Sequence, residues 1–134
     1  MSKSERDSRG RIDILDSPEN IRDKIKKAVT DMIPEITYDL DNRPGVSNLV
    51  DIYSGFTGLS PQDVVAECGS LNTLQFKMKT ADLVIEKLAP IREEAHKLKS
   101  DPGYIDQVLI DGAVKAKEIA SGTYAEVRKA IGFI

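Results

Sequence analysis

From Ser17 to Ile131 the apolar residues of this chain recur at three and four positions, and no segment sustains the alternation of a half-buried strand. That periodicity predicts an all-α fold, a helical bundle of five or six helices with short connectors. Two Ser-Pro pairs, Ser17-Pro18 and Ser60-Pro61, together with Asp101-Pro102, mark where helices start. In each, a side-chain oxygen can accept from a free first-turn amide, and the proline sits where no donor is needed.

Residues 1–11 are polar, lack periodicity and read as an exposed flexible loop. Ile12-Asp13-Ile14-Leu15 reads as a short extended stretch. Ile21, Ile25, Ala28, Val29 and Met32 fall on one face of a first helix that Pro34 is expected to end. A connector through Arg43-Pro44-Gly45 is expected to turn the chain into a second helix, with Val46, Leu49, Val50, Ile52, Tyr53 and Phe56 apolar and Gly58 just past its end. Asn48 is expected to cap or brace that helix. A short third helix carries Val64, Val65 and Cys68 and stops at Gly69. A long pattern then runs from Asn72 to about Lys99 through Leu74, Met78, Leu83, Ile85, Leu88, Ile91, Ala95 and Leu98, with Pro90 expected to kink or break it. In the last helix, Ile105, Val108, Leu109, Gly112, Ala113, Ala116 and Ala120 form a face of small residues that a neighbouring helix can approach closely; Gly122 is not expected to end it. Tyr124, Val127, Ala130 and Ile131 continue that phase, followed by an apolar tail, Phe133 and Ile134.

Composition narrows the chemistry. With 40% hydrophobic and 31% charged residues the 134-residue chain is ordinary for one globular domain. Aromatics are 5% and Trp is absent, so the core must be aliphatic. Cys68 is the only cysteine, which rules out an internal disulfide and a cysteine cluster for zinc, and His96 is the only histidine, which argues against His-metal sites and Ser-His or Cys-His catalysis. Cys68 reads as a small core residue and His96, among charged neighbours, as exposed. No apolar run approaches the ~20 residues that span a bilayer. Net charge is −3, so overall electrostatics do not advertise nucleic acid. Residues 33–90 hold eight acids and four bases, leaving any RNA contact to local patches at the two ends.

Several ordered segments carry a resemblance. The chain begins Met1-Ser2-Lys3-Ser4 and passes through Lys26-Lys27-Ala28-Val29-Thr30-Asp31, Arg43-Pro44-Gly45-Val46-Ser47-Asn48-Leu49, Phe76-Lys77, Ala89-Pro90-Ile91-Arg92 and Asp111-Gly112-Ala113-Val114-Lys115-Ala116 to Ile131-Gly132-Phe133. The first four residues resemble the Lys-Met-Ser-Lys-Ser loop that class I aminoacyl-tRNA synthetases close over ATP. The whole order resembles the C-terminal part of the tryptophanyl-tRNA synthetases of bacteria and mitochondria, with Asn72 to Leu98 nearest the animal mitochondrial branch.

The resemblance implies a division into residues 1–16, loop and connector of the catalytic domain, and residues 17–134, a helical tRNA-binding domain. It implies a larger parent that uses ATP with Mg2+ to activate tryptophan and charge tRNA(Trp), as a homodimer, in the mitochondrial matrix or alternatively the bacterial cytoplasm. No metal ligand is expected here. Lys3 is the expected catalytic cation, with Met1, Ser2 and Ser4 completing the ATP-binding loop. The family's His-Ile-Gly-His-type ATP signature and its tryptophan pocket are not in this sequence, so the 134 residues alone are expected to be inactive. Lys115, Lys117, Arg128 and Lys129 are the candidate tRNA-binding residues, although a solvated helix surface is the safer reading of them, because Asp111 can pair with Lys115. Arg6, Arg9 and Arg11 are interleaved with acids and read as a neutralised loop, and Lys24, Lys26 and Lys27 as a solvated face. Two alternatives stand beside this reading: a free-standing helical RNA-binding module and a helical protein-interaction domain without catalysis.

Overall fold

The computed structural model describes residues 10–133. Five helices follow one another: α1 (Pro18–Lys27), α2 (Pro44–Thr57), α3 (Pro61–Cys68), α4 (Thr73–Ser100) and α5 (Pro102–Ala130). No strand occurs among the described residues. The three starts behave as their residue types dictate. Ser17 Oγ accepts from Asn20 N at 3.2 Å, Ser60 Oγ from Asp63 N at 3.2 Å, and Asp101 Oδ1 from Tyr104 N at 3.0 Å. Gly58 closes α2 with φ of 76°, the left-handed geometry that a residue without Cβ adopts most readily.

The chain divides into two compact units, Met1–Glu93 and Glu94–Ile134. The core of the first joins Ile21 and Ile25 of α1, Ile36 of the connector, Val46, Leu49, Val50 and Tyr53 of α2, Val64 and Cys68 of α3, and Phe76, Ala81 and Val84 of α4. It is largely aliphatic, as the composition requires, with one aromatic pair: Tyr53 and Phe76, centroids 5.8 Å apart. The second unit holds the end of α4 and all of α5, no residue of which is buried.

Several expectations are corrected. α1 stops at Lys27, well before Pro34, and Val29 and Met32 are 88% and 99% exposed instead of facing the core. The cause is tertiary: the carbonyls that would continue the helix are taken by Lys77, and residues 31–37 are drawn out around Arg43. Ile12–Leu15 is not extended; Asp16 N donates to Asp13 O at 3.0 Å and closes a turn that leaves Ile14 and Leu15 exposed. α4 runs through Pro90 unbroken and buries Phe76, Lys77, Thr80, Ala81 and Val84, a stripe out of phase with the one through Leu74 and Ile91, both exposed. The small-residue face of α5 receives no close neighbour at Gly112, where an added Cβ meets nothing within 4 Å.

Candidate functional site

Met1, Ser2, Lys3 and Ser4 lie outside the described residues, as do Arg6 and Arg9. The structure describes the residues that follow that segment in the chain. Asp13 N donates to Asp16 Oδ2 at 2.8 Å, and the same oxygen accepts from Lys24 Nζ at 2.5 Å, both side chains being 13% exposed. Lys24 is therefore not part of a solvated face; it bolts residues 13–16 to α1. Burial alone would raise the Asp16 pKa, but the Lys24 hydrogen bond, the Asp13 amide and nearby positive charge hold it below its ordinary value. Arg92 Nη1 of α4 donates to Asp16 O at 3.3 Å. Beside this anchor a mainly apolar groove of about 260 Å³ opens between Arg11 and Ile12, Lys24 of α1 and Ala28 just past its end, and Leu49 and Ile52 of α2. Asn48 is exposed on its rim.

The connector from Asp31 to Thr37 is organised by one buried cation. Arg43 Nε and Nη2 donate to the two Asp31 oxygens at 3.0 and 2.8 Å. Nη2 also donates to Ile33 O at 2.9 Å, and Nη1 to Glu35 O and Thr37 Oγ1, each at 2.7 Å. The Arg43 hydrogen bond lowers the Asp31 pKa, and Asp31 in turn raises that of Arg43. Such a saturated guanidinium has no donor left for a phosphate, so Arg43 is a structural clamp. Gly45 completes it: an added Cβ there would stand 2.3 Å from Val29 O, so only glycine lets the start of α2 touch the chain leaving α1. Lys77, 8% exposed, donates to Ala28 O at 2.7 Å and Lys26 O at 3.4 Å. Its positive charge meets the negative end of the α1 dipole, and burial lowers its pKa.

α2, α3 and α4 meet at a second polar cluster. Lys79 Nζ donates to Glu67 Oε1 at 2.6 Å and to Cys68 Sγ at 3.4 Å, and lies 5.3 Å from the Tyr53 ring centroid. Tyr53 Oη donates to Glu67 Oε1 at 3.3 Å. Glu67 thereby raises the Lys79 pKa, and Lys79 lowers that of Glu67. Cys68 is buried, as its core assignment requires. Neither Lys77 nor Lys79 was legible as structural, because a lysine in an amphipathic pattern reads as solvent-facing.

Lys115, Lys117, Arg128 and Lys129 are all exposed on α5. They do not form one patch. At about 100° per residue, Lys117 and Arg128 share one side of the helix, and Lys115 and Lys129 lie about 130° round from it. Asp111 accepts from Gln107 Nε2 at 2.8 Å, not from the expected partner Lys115. The Arg128 guanidinium lies 5.7 Å from the Tyr124 ring centroid. This cation–aromatic pair at i,i+4 is hidden in the amino-acid order, because Tyr124 also continues the apolar stripe of the helix.

Residues 1–89, which include the Asp16 anchor and the Arg43 clamp, match the family model for tRNA synthetases class I (W and Y). The chain belongs to that family. Over 133 residues, 99% of the chain, it is 38% identical to the tryptophan–tRNA ligase of Nostoc. Over its whole length it is 40% identical to the mitochondrial tryptophan–tRNA ligase of Caenorhabditis elegans. The chain spans 40% and 36% of those relatives. A crystal structure of tryptophanyl-tRNA synthetase from Mycoplasma pneumoniae shares the fold over 98% of the chain and 40% of its own length, with a TM-score of 0.81 at 22% identity. Relatives of this class I synthetase chain thus come from bacteria and from a mitochondrion.

Proposed function

We propose that this chain is the part of a tryptophan–tRNA ligase that supplies the phosphate-binding loop and the helical tRNA-binding domain. The single observation that supports it most is the 38–40% identity to tryptophan–tRNA ligases over essentially the whole chain. In this reading the parent, a homodimer, activates tryptophan with ATP and Mg2+ and transfers it to tRNA(Trp). Its compartment is the mitochondrial matrix, or the cytoplasm in a bacterium.

Activation builds negative charge on the departing pyrophosphate. Lys3 is the residue assigned to meet it: two unit charges ~4 Å apart gain ~4 kcal/mol at an effective dielectric near 20. Ser2 and Ser4 offer hydroxyls and amides to phosphate oxygens, and Met1 offers backbone to the adenine side. The arrangement of residues 13–24 supports this role, because the Asp16–Lys24 pair gives the segment after the loop a fixed base on α1.

Pyrophosphate exchange tests the reading. The isolated chain is expected to show none. In the full-length enzyme Lys3→Ala is expected to slow tryptophan-dependent exchange by ~10²-fold or more, with tryptophan binding nearly intact. Normal exchange by that variant would remove Lys3 from the assignment. For tRNA, Ala substitutions at Lys115, Lys117, Arg128 and Lys129 of the full-length enzyme are expected to weaken tRNA(Trp) binding. Each phosphate no longer neutralised should reduce the slope of log affinity against log salt by about one. Full affinity in all four variants would make α5 scaffold.

A further inference from the structure

The turn before α1 is held from three sides, yet it leaves both of its own apolar residues in the open. Asp16 N donates to Asp13 O at 3.0 Å, and Asp13 N returns a bond to Asp16 Oδ2 at 2.8 Å. Lys24 reaches back from the middle of α1 to the same carboxylate oxygen. Arg92 of α4, 76 positions along the chain, donates from Nη1 to Asp16 O at 3.3 Å. Amide, carbonyl and carboxylate of one residue are thus all engaged, by groups from the turn, from α1 and from α4. Between Asp13 and Asp16, Ile14 and Leu15 are 51% and 44% exposed.

Burying Ile14 and Leu15 would stabilise such a turn far more than the ion pair does, because a largely buried pair returns little net stability against its desolvation. What the ion pair and the Arg92 bond supply is a fixed backbone path. We propose that Lys24 and Arg92 are positioning residues for tryptophan activation, acting through Asp16 to fix the turn from which the Met1–Ser4 loop is carried to ATP. The proposal rests on the ATP-loop reading of those four residues and deepens it. Ser4 and Asp13 are nine positions apart, so the chain between them spans at most about 30 Å, and the place of the turn limits where the loop can reach. Placement matters steeply, since a misplacement of about 1 Å can cost about 10²-fold in rate. Lys24 is not itself a phosphate contact in this scheme, because its side chain is 13% exposed and already paired. Lys27 provides the contrast: it lies on the same helix but pairs with Asp23 at 2.8 Å, both side chains more than half exposed, and has no bond to the turn.

The test uses the full-length enzyme and tryptophan-dependent pyrophosphate exchange, with kcat and the KM for tryptophan measured separately. Lys24→Met and Arg92→Met are each expected to lower kcat by about 10-fold, with the tryptophan KM within about 2-fold of the parent. Lys24→Arg, which can still pair with Asp16, is expected to recover most of the loss, and Lys27→Met to leave both constants unchanged. A double-mutant cycle with Lys3→Ala separates positioning from a general structural role. If Lys24 acts through the loop, Lys24→Met adds less than about 2-fold to the Lys3→Ala loss, whereas independent effects multiply. Multiplied losses, or parent kcat in both Lys24→Met and Arg92→Met, overturn the positioning role. If circular dichroism shows Lys24→Met unfolded, Arg92→Met, which removes only the bond to the Asp16 carbonyl, carries the same cycle. Slow exchange in Lys3→Ala with parent kcat in the two positioning variants removes this inference and leaves the ATP-loop reading standing. Normal exchange in Lys3→Ala removes both.

Discussion

Arg43 meets five acceptors from Asp31, Ile33, Glu35 and Thr37, every second residue of the connector. An extended chain turns alternate groups the same way, so one planar cation can gather them all. Removing it leaves two carbonyls, a hydroxyl and a carboxylate without the donor that gathers them, and empties a buried position. Arg43→Ala is therefore expected to cost about 3 kcal/mol of unfolding free energy in urea titrations. Arg43→Lys should recover only part of this, since an ammonium cannot span the same fork. If Arg43→Ala unfolds at the parent midpoint, the clamp holds nothing together. The Arg-Pro-Gly triplet was readable in advance as a turn that positions α2. Its partners were not, because nothing in local spacing says which carbonyls a guanidinium will find.

At the level of elements, helix starts follow local chemistry and helix ends follow neighbours. Ser17, Ser60 and Asp101 cap as their residue types require. α1, by contrast, loses its last expected turns to Gly45 and to Lys77, which lies 49 positions beyond the Ala28 carbonyl that it takes. Gly45→Ala tests the approach of α2: its Cβ would stand 2.3 Å from a backbone oxygen, which cannot rotate away. A destabilisation of about 2 kcal/mol is expected from such overpacking, read as a lower urea midpoint at constant m-value. An unchanged midpoint would show that α2 sits loosely against Val29. α5 is the contrary case, a helix held by its own hydrogen bonds and caps with no buried residue. Its amides are expected to exchange hydrogen far faster than those of Val46–Tyr53 in α2, whose side chains form the core. Equal protection in the isolated chain would contradict this.

Across the whole molecule, Asp16, Asp31, Asp39 and Glu67 all have pKa values below their ordinary ones. For Asp39 the cause is the Asn42 amide, and for Glu67 it is Lys79. A depressed carboxylate binds fewer protons folded than unfolded, so its contribution is complete above the unfolded value, about 4, and is lost as pH falls through the folded value. Thermal midpoints should be flat above about pH 5 and fall steeply below about pH 4; a midpoint that held steady into that acid range would mean these pairs contribute nothing. The amino-acid sequence by itself determined the all-α class, the three capped starts, the α2 core face, the burial of Cys68 and the family resemblance, since each is written in residues three or four apart or in an ordered set of motifs. The tertiary structure alone decided where α1 ends, which stripe of α4 is buried, that Lys24, Lys77 and Lys79 are structural, and that α5 buries none of its residues. Those outcomes depend on groups brought together from distant parts of the chain, where burial and hydrogen-bond geometry outweigh local pattern.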